Sequence, residues 1–268
     1  MFIPVVAAAL SLSAPHALKP APVFVVRAKD FSFVAPAEIK SGPTTFKLIN
    51  DGKELHHLTL VKLDSGKTMK DFSDAMQKPG PFPAWTSFVG GPNPAAPGKS
   101  VEATMTLEPG QYVMLCFINS PGDPKPHMAK GMVKPLTVLP EANGRTARAA
   151  DDTVHLSDYT FTFSKPLTAG KHVVQVVNDA AQPHEIVLAK LPPGKTIADL
   201  AKYVDEDLMK GPPPAMPFGG LATISPGRAA TFNITLTPGR YGAICFVPDA
   251  KDGKSHSAHG MTTEFTVK

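Results

Sequence analysis

Apolar and polar positions alternate with a period of two in short runs along the whole chain. Residues 45–50, 100–107, 173–178 and 229–236 are the clearest cases. Each run is bounded by Pro and Gly, so each reads as a half-buried β-strand between turns. Two segments break that period. Residues 68–77 and 196–210 have helical character, and each is followed by a Pro/Gly-rich loop. In the second, Ile197, Leu200, Ala201 and Val204 recur at i, i+3, i+4 and i+7, which puts one apolar face on a helix laid over the sheets. Short strands, long loops and one helix in each half predict an all-β chain of two tandem Greek-key β-sandwich domains, each with one short inserted helix.

The pattern also matches itself. Sliding the chain by 128 or 129 residues lays Asp30-Phe31-Ser32-Phe33 over Asp158-Tyr159-Thr160-Phe161, and His56 over His184. Further on, Gly90-Gly91 falls on Gly219-Gly220, Cys116-Phe117 on Cys245-Phe246, His127 on His256, and Gly131-Met132 on Gly260-Met261. We read this as a duplication, with modules at 21–139 and 151–268. Between them, residues 140–150 are small and polar, as a linker should be. Residues 1–20 read as a secretory signal peptide or a disordered leader, because the opening apolar stretch is too short to span a bilayer. No Lys or Arg precedes Lys19, and Pro15 sits where a cleavage site wants a small residue. The chain is therefore expected to be periplasmic or extracellular, with no membrane span in the mature part.

Composition changes this picture little. The 29 Pro and 21 Gly among 268 residues are spread between apolar runs, as in a turn-rich β chain. The net charge of +4 comes without any Lys/Arg run interleaved with aromatics, so no nucleic-acid groove is supported. Cys116 and Cys245, the two cysteines present, occupy the same position in two modules, which argues against a disulfide.

Candidate chemistry lies in what both copies keep. Each offers His, Cys, His and Met in one order: His56, Cys116, His127, Met132, then His184, Cys245, His256, Met261. Two imidazoles, a thiolate and a weak thioether suit a blue copper site. Singly, a buried Cys or Met is usually packing. Four ligand types held in order in two diverged copies are harder to dismiss.

On these residues the chain resembles the cupredoxins, the plastocyanin and azurin family. The likeness rests on Asn178 through Pro183-His184, on a Tyr-containing strand running into Cys, and on His-x4-Met with Gly before the Met. It implies a cupredoxin-like sandwich in each module and one copper per domain. His56 and His184 would be early imidazole ligands, Cys116 and Cys245 thiolates, His127 and His256 loop imidazoles, and Met132 and Met261 axial ligands. Two departures stand out. Ten residues separate Cys from the loop His in both copies, where the family usually has two to four. The residue after the early His is His57 in one copy and Glu185 in the other, where plastocyanin has Asn. His57 reads as a surface residue or one lying behind the ligands.

The expected function is an exported copper-binding electron-transfer protein with a type 1 site in each domain and an unidentified redox partner protein. Two alternatives remain open: a metal-free tandem binding module of the cell envelope, or copper storage and delivery with Met128, His57 and His259 as extra ligands. An enzyme is not expected. The multicopper oxidases and copper nitrite reductases carry His-x-His pairs or a His beside the Cys, and neither occurs here.

Overall fold

A computed structural model describes residues 19–78 and 80–268, so the leader reading falls almost wholly outside the described residues. The first half runs β1 (Val23–Lys29), β2 (Ser32–Val34), β3 (Glu38–Asn50), β4 (Thr59–Leu63), α1 (Met69–Met76), β5 (Thr86–Gly90), β6 (Ser100–Leu107), β7 (Gly110–Leu115) and β8 (Val133–Ala142). The second repeats that order with β9 (Asp152–Ser157), β10 (Thr160–Phe163), β11 (Gly170–Asn178), β12 (His184–Leu191), α2 (Ile197–Asp205), β13 (Pro217–Ile224), β14 (Ala229–Leu236), β15 (Gly239–Ile244) and β16 (Thr262–Val267). The alternating runs at 100–107 and 229–236 are β6 and β14, and their inward residues are buried as the period of two requires.

Each half is a two-layer sandwich. One layer has the order β2-β1-β3-β6 and the other β5-β4-β7-β8; their equivalents are β10-β9-β11-β14 and β13-β12-β15-β16. Strand β3 serves both layers, pairing with β8 before Gly42 and with β6 after it. Strand β8 runs to Ala142, two residues past the point where the sequence reading begins its linker.

The halves are joined edge to edge. Strand β6 pairs antiparallel with β14 through Thr104–Thr231, Ala103–Phe232 and Glu102–Asn233. Strand β5 meets β13 at Val89–Ile224, and Pro92 bridges Leu221. Corresponding strands therefore pair with each other in opposite directions, the arrangement a two-fold axis produces. One apolar core runs through both halves, from Phe46, Leu48 and Met105 to Val176, Leu188 and Phe232. Removing one such side chain from water is worth roughly 1.5–3 kcal/mol, so this shared core holds the halves as a unit.

Both helices start with a capping box. The Thr68 hydroxyl accepts from the Asp71 N–H and the Asp71 carboxylate accepts from the Thr68 N–H; Thr196 and Asp199 do the same for α2. Helix α2 is shorter than the 196–210 segment predicted. It stops at Asp205, and Leu208 and Met209 take left-handed backbone angles. Asp205, Glu206 and Asp207 place negative charge at the helix end where the macrodipole disfavours it. The Tyr203 hydroxyl then holds the turned chain by donating to the Met209 and Gly211 carbonyls.

Gly91 and Gly220, matched in the repeat, sit where the halves meet. A Cβ on Gly91 would lie 1.9 Å from the Leu58 carbonyl oxygen, and one on Gly220 2.0 Å from that of Ile186. Only glycine allows this approach.

Candidate metal centres

Asn50 and Asn178 deliver the early histidines. The buried Asn50 amide donates to the Glu54 and Ala95 carbonyls and accepts from the Gly52 N–H. Asn178 does the same with Gln182, Ile224 and Ala180. Each Asn closes a short loop whose end places His56 or His184 in the interior. The cysteines arrive on β7 and β15, whose starts are held by Tyr112 and Tyr241. Both rings are buried, and their hydroxyls donate to the Glu108 and Thr237 carbonyls at 2.8 Å.

The ten residues after each thiol fold into a closed excursion. In the first half Asn119 bridges Pro126, and the His127 N–H donates to the Ile118 carbonyl at 2.8 Å. The Met128 N–H then donates to the Cys116 carbonyl at 2.8 Å. In the second half Pro248 bridges Ser255, His256 N–H donates to Val247, and Ser257 N–H donates to Cys245. The extra residues leave and return at nearly the same point, so the late imidazole is brought back to the sulfur.

Three donors converge in each half. Among the described residues, His56, Cys116 and His127 offer ligand atoms within 4.8 Å of one another, as do His184, Cys245 and His256, all buried. Cys116 Sγ lies 3.5 Å from His127 Nδ1 and 4.0 Å from His56 Nδ1. Cys245 Sγ lies 3.4 Å from His256 Nδ1 and 3.9 Å from His184 Nδ1. Met132 and Met261 follow on the same loops, fully buried in the cluster that holds the cysteines. Their N–H groups donate to the His127 and His256 carbonyls at 2.9 Å.

Hydrogen bonds behind the rings decide which nitrogens face inward. His56 Nε2–H donates to Asp30 Oδ1 at 3.0 Å, and His127 Nε2–H donates to Glu54 Oε2 at 2.9 Å. The two Nδ1 atoms then carry lone pairs that face each other at 3.1 Å beside the thiol. Such a contact is repulsive unless a cation lies between. Bonds of roughly 2.0 Å to nitrogen and 2.3 Å to sulfur, the lengths zinc shows with these donors, require donor atoms roughly 3–4 Å apart. The observed spacings meet that requirement. In the second half His184 Nε2–H donates to Asp158 Oδ1 at 2.9 Å, but buried His256 Nε2 has no partner. Its nearest carboxylate oxygen, Asp249 Oδ2, is 3.9 Å away.

Burial sets the protonation states. It lowers the pKa of His56, His127 and His184, and together with the neighbouring His184 it brings His256 down to about 4. All four imidazoles are neutral at pH 7 and ready to bind a cation. Burial pushes the Cys116 thiol up to about 12 and raises Cys245 as well. Each thiol keeps its proton until a metal displaces it.

Several supports escaped the sequence reading. Asp30 and Asp158 hold the early histidines, while Phe31 and Tyr159 pack edge-on against the late ones at 5.3 and 5.5 Å between ring centres. Both aromatics have left-handed angles, φ 66° and 64°, a strained state for bulky residues that clusters at functional sites. The signal was present, since Asp-Phe and Asp-Tyr are matched in the repeat. His57 is not a surface residue. It is 4% exposed, and its Nε2 accepts from the Phe117 N–H at 2.7 Å. Neither His57 nor His259 joins either His/Cys/His group. Met128 packs below α1 with Phe72, His57 turns toward Asn93, and His259 meets Asp252 near the surface.

The chain thus has a cupredoxin-like fold in two sandwich domains, with a buried His/Cys/His group in each. No protein-family model matches it, and no curated protein does either. Solved structures do show likeness. Dithionite-reduced auracyanin from Roseiflexus castenholzii is 22% identical over 46% of this chain and 99% of its own, with a TM-score of 0.29. A blue copper oxidase from Nitrosomonas europaea is 14% identical over 92% of this chain and 86% of its own, at 0.26. A copper nitrite reductase from Nitrosomonas europaea is 15% identical over 93% and 94%, also at 0.26. At these identities the likeness concerns the fold alone, and the fold stands on the strand order above. The expectation of a non-enzyme is corrected here, because chains similar over nearly the whole length include an oxidase and a reductase. Lacking a His-x-His pair or a His beside the Cys excludes one ligand pattern, not catalysis. Among the described residues no helix is long and apolar enough to cross a membrane.

Proposed function

We propose that this is an exported copper protein with a type 1 copper centre in each half, handling one electron at a time. Residues 21–139 and 151–268 are the two modules, and 140–150 connects them. His56, Cys116, His127 and Met132 would hold one copper, and His184, Cys245, His256 and Met261 the other. The observation that carries this reading is the pair of Nδ1 lone pairs facing each other and a sulfur, with both Nε2–H groups given to carboxylates in the first half. Two imidazoles and a thiolate, with a buried methionine following on the same loop, favour copper over harder cations. Bound copper would supply a Cu(I)/Cu(II) couple.

The chain's own part is to keep the donors in place. Asp30, Asp158 and Glu54 fix ring orientation, as partners behind ligands generally do. The closed loop excursions and the aromatic caps of Phe31 and Tyr159 keep water away, and all four imidazoles and both thiols are fully buried. An electron partner would approach from outside this shell.

The test is spectroscopic. Adding Cu(II) to pure protein should give the intense thiolate-to-copper visible band, with Cys116→Ser and Cys245→Ser each removing about half. A metal-free shell shows no band and no retained copper after reconstitution, and that outcome would end the copper reading.

A further inference from the structure

Behind the two thiols, one buried side chain touches both halves. Asn93 is 1% exposed and follows Pro92, the residue that bridges to Leu221 where the halves join. Its Oδ1 lies 3.0 Å from His57 Nδ1, and its Nδ2–H donates to Glu185 Oε2 at 2.9 Å. His57 Nε2 accepts from the Phe117 N–H at 2.7 Å, and Glu185 Oε1 accepts from the Phe246 N–H at 3.3 Å. Phe117 and Phe246 are bonded directly to Cys116 and Cys245. A continuous chain of four hydrogen bonds therefore runs from the residue after one thiol to the residue after the other.

The directions in this chain are forced. Both ends are backbone N–H groups and can only donate. His57 accepts at Nε2, so it carries its proton on Nδ1 and donates to Asn93 Oδ1. That orients the Asn93 amide, whose NH2 must donate to Glu185. Glu185 is then the group that only accepts, once from each side. Every polar atom facing into the bridge is used, the condition under which a buried polar network specifies one arrangement.

The parts are those the repeat does not keep. His57 matches Glu185, and Asn93 matches Ala222. Two unlike residues, each next to an early histidine, meet through a single Asn beside the join. Two copies of either half would not build it, since two histidines or two glutamates would face each other across the join.

We propose that the His57–Asn93–Glu185 bridge couples the two centres, so that a change at one is transmitted to the other. This rests on the reading of each half as a copper centre. A shift of Cys116 on a change of redox state at the first centre would move the Phe117 N–H, hence His57, Asn93 and Glu185. Glu185 neighbours His184 in sequence, and its own N–H points at Cys245 Sγ at 3.5 Å. Coupling of this kind is reciprocal.

The experiment isolates the second centre with Cys116→Ser and measures its reduction potential. Asn93→Ala, which installs the residue already present at the matched position, should shift it by at least a threefold change in the one-electron equilibrium constant, about 28 mV at 59 mV per decade. His57→Gln, in the other half, should also shift it while Asn93 is present and have no effect once Asn93→Ala is made. An unchanged potential in all three variants, with the visible band intact, overturns the proposal. A missing band in the parent protein instead overturns the copper reading. The bridge is then read in the metal-free chain from the Phe246 amide, by nitrogen-15 shift and hydrogen exchange. His57→Gln should move that amide only when Asn93 is present, and no movement overturns the bridge. Should Asn93→Ala fail to fold, as judged by its melting curve, Asn93→Ser replaces it with the same expectations.

Discussion

The two halves present the same three inward donors, yet they support them differently. In the first, both imidazoles give Nε2–H to a carboxylate, Asp30 for His56 and Glu54 for His127. In the second, Asp158 holds His184, but Gln182 stands where Glu54 would be and turns its amide to Asp249. His256 is left with a buried, unpartnered nitrogen. The excursion loops differ too. Lys130 pins the first by meeting Asp123 and Ser120, whereas Ser255 and Ser257 donate to Asp205 and dock the second on the end of α2. The donors are the same residue types in both copies, while their supports have drifted. The first centre should therefore be the tighter and more rigid of the two.

Three experiments break or sharpen this contrast. Glu54→Gln gives the first half the support of the second, and it should weaken copper binding there about 10–100-fold while affecting the second centre far less. Competition titration of the Cys245→Ser and Cys116→Ser proteins reads each centre alone, and equal losses at both would refute the contrast. Next comes pH, which should act on the halves alike. Because burial holds the Cys116 thiol up to about 12 and raises Cys245 too, copper uptake expels a proton at each centre. Apparent affinity should rise about tenfold per unit between pH 7 and 9, and one proton per copper should appear in an unbuffered titration. A flat profile would mean that the thiols are already ionised. Smallest is the pair Thr68→Ala and Thr196→Ala. Their capping boxes are alike, so each should cost about 1 kcal/mol of unfolding free energy. Very unequal losses in denaturant melts would show that the helices are not equivalent supports.

Much of this was legible in the chain itself, for reasons that can be traced. Strands β6 and β14 could be read to the residue, because one face is buried and a period of two leaves no other register. The two helical segments were legible in the chain, starting at 68 and 196, but the end of α2 was not. No strong stop residue marks Asp205, and the chain turns there through left-handed angles at Leu208 and Met209, neither of them glycine. The donors stood out because they recur in order. Asp30 recurs as Asp158 and an aromatic follows it in both copies, yet their chemistry lies in a contact with residues far along the chain, which no local pattern carries.

By itself the sequence determined the strand pattern, the repeat, the two helical segments and the His/Cys/His/Met sets, since all of these follow from local periodicity and residue type. Tertiary structure alone decided that ten-residue loops close and return their histidines to the sulfur. It also decided that β6 and β14 join the halves into one core, and that Asn93 stands between His57 and Glu185. Those outcomes depend on which backbone groups from distant strands meet once apolar faces are buried. That geometry is set by the packing of the whole chain.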